Sequence, residues 1–219
     1  MSGSRMNRFI IAGLLALIGL AGCVIAPGPA ERTPDGLVRR QSTRVDSLYV
    51  APGVSLAKYQ RVMFDNVDVG FKPDWQARNP QVPLDDITAV RHGAASMFRE
   101  EFSQALAKGG YSVVTAPAAD VLRVNASVVD LDVVSAAAAG DSGPGYIVST
   151  ADMSLVAELR DSQSGAMLAR VADRRQGRNQ GNLQLSGQAA QTADARAAFA
   201  AWAGYLREAL DEARKPPPK

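Results

Sequence analysis

Cysteine and histidine are almost missing from this chain of 219 residues, since each occurs once, as Cys23 and His92. A single cysteine excludes a disulfide within the chain, and these two residues are too few for a Cys/His zinc site. A hydrolytic triad needs a histidine, which only His92 could supply. Its place in a helical pattern favours a partly exposed structural histidine instead. The sequence therefore predicts no metal, no cofactor and no catalytic residue.

An apolar run occurs near the start of the chain, at 9–20, and it follows Arg5 and Arg8. A basic stretch, an apolar stretch and small residues in this order are typical of a secretory signal. The run ends in Leu-Ala-Gly-Cys, which resembles the bacterial lipobox, whose cysteine is acylated and becomes the mature N-terminus. One alternative is a transmembrane helix, but that needs about 20 apolar residues and the run at 9–20 is shorter. The other alternative is a free cysteine buried in a core helix. We predict a signal peptide at 1–22 and a lipid on Cys23.

The residue after the predicted lipidation site indicates the membrane in which the protein is anchored. Val24 follows Cys23, where inner-membrane retention in enterobacterial lipoproteins uses aspartate. By that sorting rule we expect a protein of the outer membrane that faces the periplasm. Two or three acyl chains are enough for stable anchoring in a bilayer. The expected membrane contact is therefore through the N-terminal acyl chains.

An excess of positive charge is absent from the predicted mature chain. Residues 1–22 hold Arg5 and Arg8 and no acid, so without them the 24 basic residues fall to 22, which equals the number of acidic ones. A nucleic-acid-binding domain would carry a basic face. Both the balance and the predicted compartment argue against a nucleic-acid partner.

Composition divides the remainder of the chain into three parts. Prolines and glycines interrupt 23–45 without periodicity, so this segment is predicted to be a lipidated flexible tether. We predict a single globular domain at 46–214, and a disordered tail at 215–219, where three prolines follow one another.

Periodicity predicts the elements of that domain. Apolar residues at steps of three and four predict a helix that Asp85 or Asp86 caps, and another helix that Thr192 begins. Alternation in 121–134 and in 149–160 predicts strands with one buried face, a habit of antiparallel sheets. We expect an α+β fold, mainly an antiparallel sheet with two helices packed on one face as a two-layer sandwich.

Four segments of the predicted domain are distinctive: YVAPG at 49–53, LAKYQRV at 56–62, FKPDW at 71–75 and ADVLRV at 119–124. They resemble the bacterial lipoproteins grouped as the domain-of-unknown-function 3313 family. The likeness extends over about 46–213 and agrees with the signal and the lipobox. It implies no catalytic residue, because no activity is established for the family.

Two loops are candidate partner-binding surfaces. The first holds Phe71, Lys72, Asp74 and Trp75 beside a proline, and aromatic residues outside a periodic stripe are typical of interfaces. The alternative has this loop fold back, so that Trp75 covers the sheet or the end of a helix.

The second loop is basic and polar. It contains Arg174, Arg175 and Arg178, which could hold a glycan or an anionic lipid, although the pattern favours a solvated strand end. Asp65 and Asp68 could contribute to a calcium or acid–base site, but they lack ligands at alternating positions.

These observations favour a membrane-anchored periplasmic lipoprotein with a non-enzymatic binding or scaffolding role in the cell envelope. Its expected partners are an envelope protein or peptidoglycan. The alternative is a periplasmic hydrolase or a lipoprotein that binds a small ligand, which would require a concave pocket with convergent polar groups.

Overall fold

The computed structural model describes residues 31–136, 145–149, 153–175 and 188–216, which all belong to one compact unit. Along these residues four strands come first, then two helices, five strands and a last helix, because segments of two-residue periodicity and segments of helical periodicity follow one another in this order. The elements are β1 (Val38–Arg40), β2 (Ser47–Val50), β3 (Arg61–Phe64), β4 (Asp68–Phe71), α1 (Trp75–Arg78), α2 (Leu84–Lys108), β5 (Ser112–Val113), β6 (Val121–Ala136), β7 (Gly145–Ser149), β8 (Met153–Asp161), β9 (Met167–Arg175) and α3 (Gln188–Ala213).

The long strand β6 organises the sheet. The strand order is β1-β2-β9-β8-β6-β3-β5, with β4 and β7 pairing β6 farther along its length. Strands β8, β9, β2 and β1 continue from β6 as antiparallel neighbours. On its other side β6 runs parallel to β3 and to β4, and β3 runs parallel to β5. The fold is therefore α+β with a mixed sheet.

The prediction of a mainly antiparallel sheet is wrong on the β3 side. Helix α2 lies in the chain between β4 and β5, so the connection from β3 to β6 is a crossover through a helix. Parallel neighbours need such a crossover, whereas antiparallel ones can be joined by a short turn. The predicted order of a strand, a helix and a further strand already contained this signal. The alternation within β6 describes its faces and not the direction of its neighbours.

Strand β8 shows how the sheet separates two faces. Met153, Leu155, Ala157 and Leu159 are buried, and the residues between them are more exposed. Because successive side chains of a strand point to opposite sides, the buried set defines the inner face of the sheet.

Helix α2 begins two residues before the predicted cap. Pro83 is its N-cap, and Asp85 and Asp86 lie in the first turn, where carboxylates face the positive end of the helix dipole. The prediction of an aspartate cap is therefore wrong, although the acidic residues do lie at this end. Helix α3 likewise begins at Gln188 and not at Thr192.

The end of α2 follows a Schellman motif. The backbone N–H of Tyr111 donates to the carbonyl of Leu106, and the N–H of Gly110 donates to the carbonyl of Ala107. Gly110 has φ +78°, in the left-handed region, and Tyr111 and Leu106 are both buried. This geometry explains the predicted stop at the glycine pair.

We expect Gly110→Ala to lower the free energy of unfolding by about 1 kcal/mol, because an L-residue is strained at this φ. No atom lies within 4 Å of the added Cβ, so the cost is one of backbone conformation alone. Gly93→Ala is the matched control, since Gly93 lies inside the same helix with equally open surroundings. That change should stabilise by about 0.8 kcal/mol. Urea unfolding measures the change in the free energy of unfolding for both variants. Changes of the same sign would contradict the left-handed conformation assigned to Gly110.

Aromatic side chains join the two long helices to the sheet. Phe98 of α2 stacks on Phe102 with a centroid distance of 4.0 Å and meets Phe199 of α3 edge-on at 5.7 Å. Phe64 of β3 contacts both α2 rings edge-on. These rings belong to the main core, together with the inner face of the sheet.

Part of the predicted tether is folded. Strand β1 lies within 23–45 and pairs with β2, and the side chain of Leu37 is 1% exposed. The N–H of Leu37 donates to the hydroxyl of Thr33, and Arg32 bridges to Val38, which closes a small turn. The proline and glycine content of this segment predicts a tether, but in the structure it accompanies a turn between extended segments. No helix within the described ranges is long and apolar enough to cross a bilayer.

An apolar cleft as the candidate functional site

A cleft of about 730 Å³ opens between the inner face of the sheet and the C-terminal half of α3. Its floor comes from β2, β6, β8 and β9, and its walls come from α2, α3 and the loop after β2. We call it the α3 cleft. Floor and walls are mainly aliphatic and aromatic, as exemplified by Leu155, Leu159, Phe102 and Trp202. Its volume lies in the range of ligand pockets, about 300–1,000 Å³.

Small residues on the inner face leave this space open. Ala157 of β8 and Ala169 of β9 both line the cleft, and Ala169 lies opposite Leu159. Both alanines are buried on the face that α3 covers elsewhere. Larger side chains at these positions would fill the gap between sheet and helix, because protein interiors are otherwise close-packed.

A buried carboxylate fixes one wall of the α3 cleft. Asp173 of β9 accepts a 2.7 Å hydrogen bond from the indole Nε1 of Trp202 and a 2.8 Å bond from Nε of Arg175. It also accepts the backbone N–H of Asp46, which precedes β2. Because the polar edge of Trp202 is held by Asp173, the apolar part of the ring remains to line the cleft.

Tyr205 is the next wall residue on α3, and two arginines lie against it. The guanidinium groups of Arg44 and Arg175 lie 5.8 and 5.5 Å from its ring centroid. Nη2 of Arg175 also donates to the tyrosine hydroxyl at 3.0 Å. These contacts connect the β1–β2 loop, the end of β9 and α3 at the edge of the cleft.

Charged side chains gather at the mouth of the α3 cleft. Arg44 forms an ion pair with Glu208 that links the β1–β2 loop to α3. Lys215 pairs with Glu212 at 2.5 Å, and Asp211 accepts a 2.8 Å bond from the hydroxyl of Tyr111. Burial raises the pKa of Tyr111 to about 12, and the bond to Asp211 adds to the effect. The mouth is therefore polar and of mixed charge, whereas the interior is apolar.

The predicted aromatic loop lies elsewhere, beside α1 and α2. Trp75 is 1% exposed and stacks on Phe71 with a centroid distance of 4.7 Å. It forms a small second cluster with Ile87 at the start of α2. Asp74 is exposed and pairs with Arg78, one helical turn farther on. This is the placement that the alternative interpretation expects, in which Trp75 folds back onto a helix end. Its ring is not available to a partner here.

The predicted basic loop is partly near the cleft. Arg175 contacts two of the residues at the cleft edge, as described above. Arg174 lies on the exposed side of β9, and its backbone N–H donates to Asp46. Lys72 directly follows β4. Arg178 and Cys23 lie outside the described residues.

The remaining polar candidates do not gather in one place. Asp65 follows β3 and pairs with Arg123 of β6, whereas Arg175 ends β9, two strands away from β6. His92 is exposed on α2. Within the ranges that the structure describes, no group of three or more His, Cys, Asp or Glu side chains could hold a metal ion.

Sequence reasoning did not find the α3 cleft. The signal was present in Ala157 and Ala169, small residues at inward positions, where β8 otherwise carries Leu155 and Leu159 and β9 carries Val171. Asp173 offered a second signal, because a carboxylate at a buried position needs polar partners. Neither signal says which helix lies opposite, and the cleft depends on that helix.

Taken together, the fold and the cleft define an α+β domain with a mixed sheet and an apolar ligand-sized recess. The chain belongs to the DUF3313 family, described as a protein of unknown function, whose model matches residues 33–206. This confirms the resemblance found in the sequence. No curated protein matches the chain.

Solved structures give weaker likenesses. The PelC dodecamer from Paraburkholderia phytofirmans is 15% identical, with a TM-score of 0.36 over 72% of this chain and 96% of that one. A minor lipoprotein from Acinetobacter baumannii is 12% identical, with a TM-score of 0.30 over 71% of this chain and 95% of that one. Likenesses at these TM-scores carry nothing over to this chain.

Proposed function

We propose that the protein is a cell-envelope lipoprotein whose folded domain binds an apolar molecule in the α3 cleft without changing it chemically. The observation that supports this is the cleft itself, about 730 Å³ of space walled by apolar side chains. Apolar cavities take up apolar molecules readily, even at about 150 Å³. Each methylene group that leaves water for such a site contributes about 0.8 kcal/mol.

The anchor is part of the same proposal. Acylation of Cys23 would hold the domain at the periplasmic side of the outer membrane, as the sequence predicts. A binding domain fixed at a membrane surface meets apolar molecules at high local concentration. A further envelope protein, or peptidoglycan, would then be the partner that delivers or positions the domain.

Native mass spectrometry of the full-length chain, released from membranes in a nonionic detergent, tests both parts. We expect a bound apolar molecule on the wild-type chain and the added mass of acyl groups on Cys23. Ala157→Phe places a ring in the cleft and should lower the occupancy about tenfold or more, because overpacking costs roughly 1–3 kcal/mol. Ala169→Leu, on the neighbouring strand, is the second variant, in case the first does not fold.

Val156→Phe is the matched control. Val156 is the neighbour of Ala157 in β8 but lies on the opposite face, where it is 39% exposed. Its replacement adds the same ring outside the cleft and should leave occupancy unchanged. Equal occupancy in Ala157→Phe, Ala169→Leu and Val156→Phe, with all three folded by circular dichroism, would exclude binding in the α3 cleft.

A further inference from the structure

We infer that the ligand of the α3 cleft is a membrane phospholipid or lysophospholipid with a zwitterionic headgroup, its acyl chain inside and its headgroup at the mouth. This inference rests on the proposed function, because it names the class of molecule that the cleft binds. It follows from the separation of apolar and charged residues along the cleft and from the mixture of charges at the mouth.

The interior selects an acyl chain. The polar groups of two wall residues already have partners: Nε1 of Trp202 donates to Asp173, and the hydroxyl of Tyr205 accepts from Arg175. The neighbouring floor and wall residues, such as Leu159 and Phe102, offer hydrocarbon alone. A ligand with polar groups along its length would lose their hydration here without gaining hydrogen bonds. An unbranched hydrocarbon tail meets no such penalty.

The mouth selects the headgroup. Arg44 of the β1–β2 loop and Lys215, just beyond α3, contribute positive charge, and Glu208, Asp211 and Glu212 of the last turns of α3 contribute negative charge. Arg207 lies 3.9 Å from both Glu208 and Asp211 and adds to the positive charge beside them. The carboxylate of a fatty acid could pair with the cations, but the ligand would then offer no positive group to the three acidic side chains. A phosphate joined to an ammonium group matches both signs, with the phosphate toward the cations and the ammonium toward the carboxylates.

The ion pairs at the mouth are exchangeable. The side chains of Arg44 and Glu208 are 53% and 41% exposed, and those of Lys215 and Glu212 are 65% and 71% exposed. Exposed pairs of this kind contribute little to folding, so replacing one partner with a ligand group costs little. A headgroup can therefore insert between the paired side chains while the apolar interior stays as it is.

Competition among three amphiphiles of equal chain length tests the inference on the full-length acylated chain. Lysophosphatidylethanolamine, lysophosphatidylglycerol and palmitate are added together, and native mass spectrometry reports which is bound. We expect the zwitterionic lipid to be preferred about fivefold over either anion. The double variant Glu208→Gln with Glu212→Gln should lose that preference and bind the anionic lipid better. Glu100→Gln removes an exposed carboxylate on α2 that pairs with Arg196, and it should keep the preference.

The outcomes separate the inference from the proposed function. A preference for palmitate would overturn the inference, and so would a lipid preference that the double variant of Glu208 and Glu212 leaves unchanged. In either case, lower occupancy in Ala157→Phe would still support apolar binding in the cleft. Lipid uptake by Cys23→Ser but not by the wild-type chain would also overturn it, because the chain's own acyl groups would then fill the cleft. Binding that Ala157→Phe and Ala169→Leu leave unchanged would overturn both.

Discussion

Replacing Asp161 with asparagine should lower the free energy of unfolding by about 3 kcal/mol, since a buried carboxylate loses several hydrogen bonds at once. Its side chain is only 10% exposed and lies at the end of β8. One oxygen accepts from Nζ of Lys58 at 2.8 Å and from the hydroxyl of Tyr59 at 2.9 Å. The other oxygen accepts the backbone N–H and the hydroxyl of Ser164 in the β8–β9 turn.

These contacts give Asp161 a role in topology. Lys58 and Tyr59 precede β3, so the carboxylate joins the antiparallel side of the sheet to its parallel side. Tyr59 is buried, and both carboxylate oxygens face donors, whereas an asparagine has only one acceptor oxygen. Its NH2 group would face either the Tyr59 hydroxyl and the Lys58 ammonium group or the donors of Ser164, and the donors on that side would lose their acceptor, which is the main source of the expected loss.

The same site predicts a dependence of stability on pH. Hydrogen bonds from Lys58, then from the backbone of Ser164 and from Tyr59, hold the pKa of Asp161 well below its ordinary value. A carboxyl group whose pKa is lowered by folding stabilises the protein above its unfolded pKa, about 3.9. That contribution is lost as the pH falls below about 4 toward the folded-state pKa. Asp161→Asn should therefore show a flatter loss of stability over this acidic range than the wild-type chain.

Urea unfolding at pH 7 and at pH 3 measures both effects. Asp120→Asn is the control, because Asp120 forms an exposed ion pair with Arg61 near the same end of the sheet. Its removal should change stability little at pH 7. If Asp161→Asn were as stable as the control, or if its acid profile followed that of the wild type, the carboxylate would not be the link described here.

Most strands and helices of this fold could be predicted from the local sequence pattern, whereas the pairing and direction of the strands could not. The alternation in β8 and the stripe of Phe98 and Phe102 in α2 are properties of single segments, and the structure confirms both. Strand direction depends on which segments meet, and that is decided by crossovers such as α2. The bounds at Pro83 and Gln188 differ from prediction by a few residues, because a capping residue type alone does not fix where a helix begins.

For the candidate site, even less could be predicted from the local sequence pattern. Arg175 was singled out from the sequence as part of a basic loop, and it does lie at the edge of the α3 cleft. The reason differs from the one expected, since its guanidinium positions Asp173 and Tyr205 within the protein. Trp75 was conspicuous as an aromatic residue outside any periodic stripe, yet it is buried against α2. Alanines at inward strand positions are a weaker signal, because they do not show which helix lies opposite them, and the cleft depends on that helix.

The second large effect is expected at the junction of the two long helices. Phe199→Ala should lower the free energy of unfolding by about 3–5 kcal/mol, the usual cost of removing a fully buried ring. Phe199 is 0% exposed and contacts Phe98 of α2 and Trp202 of α3, at centroid distances of 5.7 and 5.9 Å. Its loss therefore opens a void where the helices meet, beside a wall of the α3 cleft.

A graded series distinguishes the aromatic contact from simple burial. Phe199→Leu keeps most of the buried volume but loses the edge-on contact with Phe98, and it should cost about 1 kcal/mol. The exposed neighbour Ala200 gives the control Ala200→Ser, which should have a small effect. Combining Phe199→Ala with Phe98→Ala should cost less than the sum of the two single changes, because the rings share one interface. Additive losses in urea unfolding would mean that α2 and α3 do not meet through this pair.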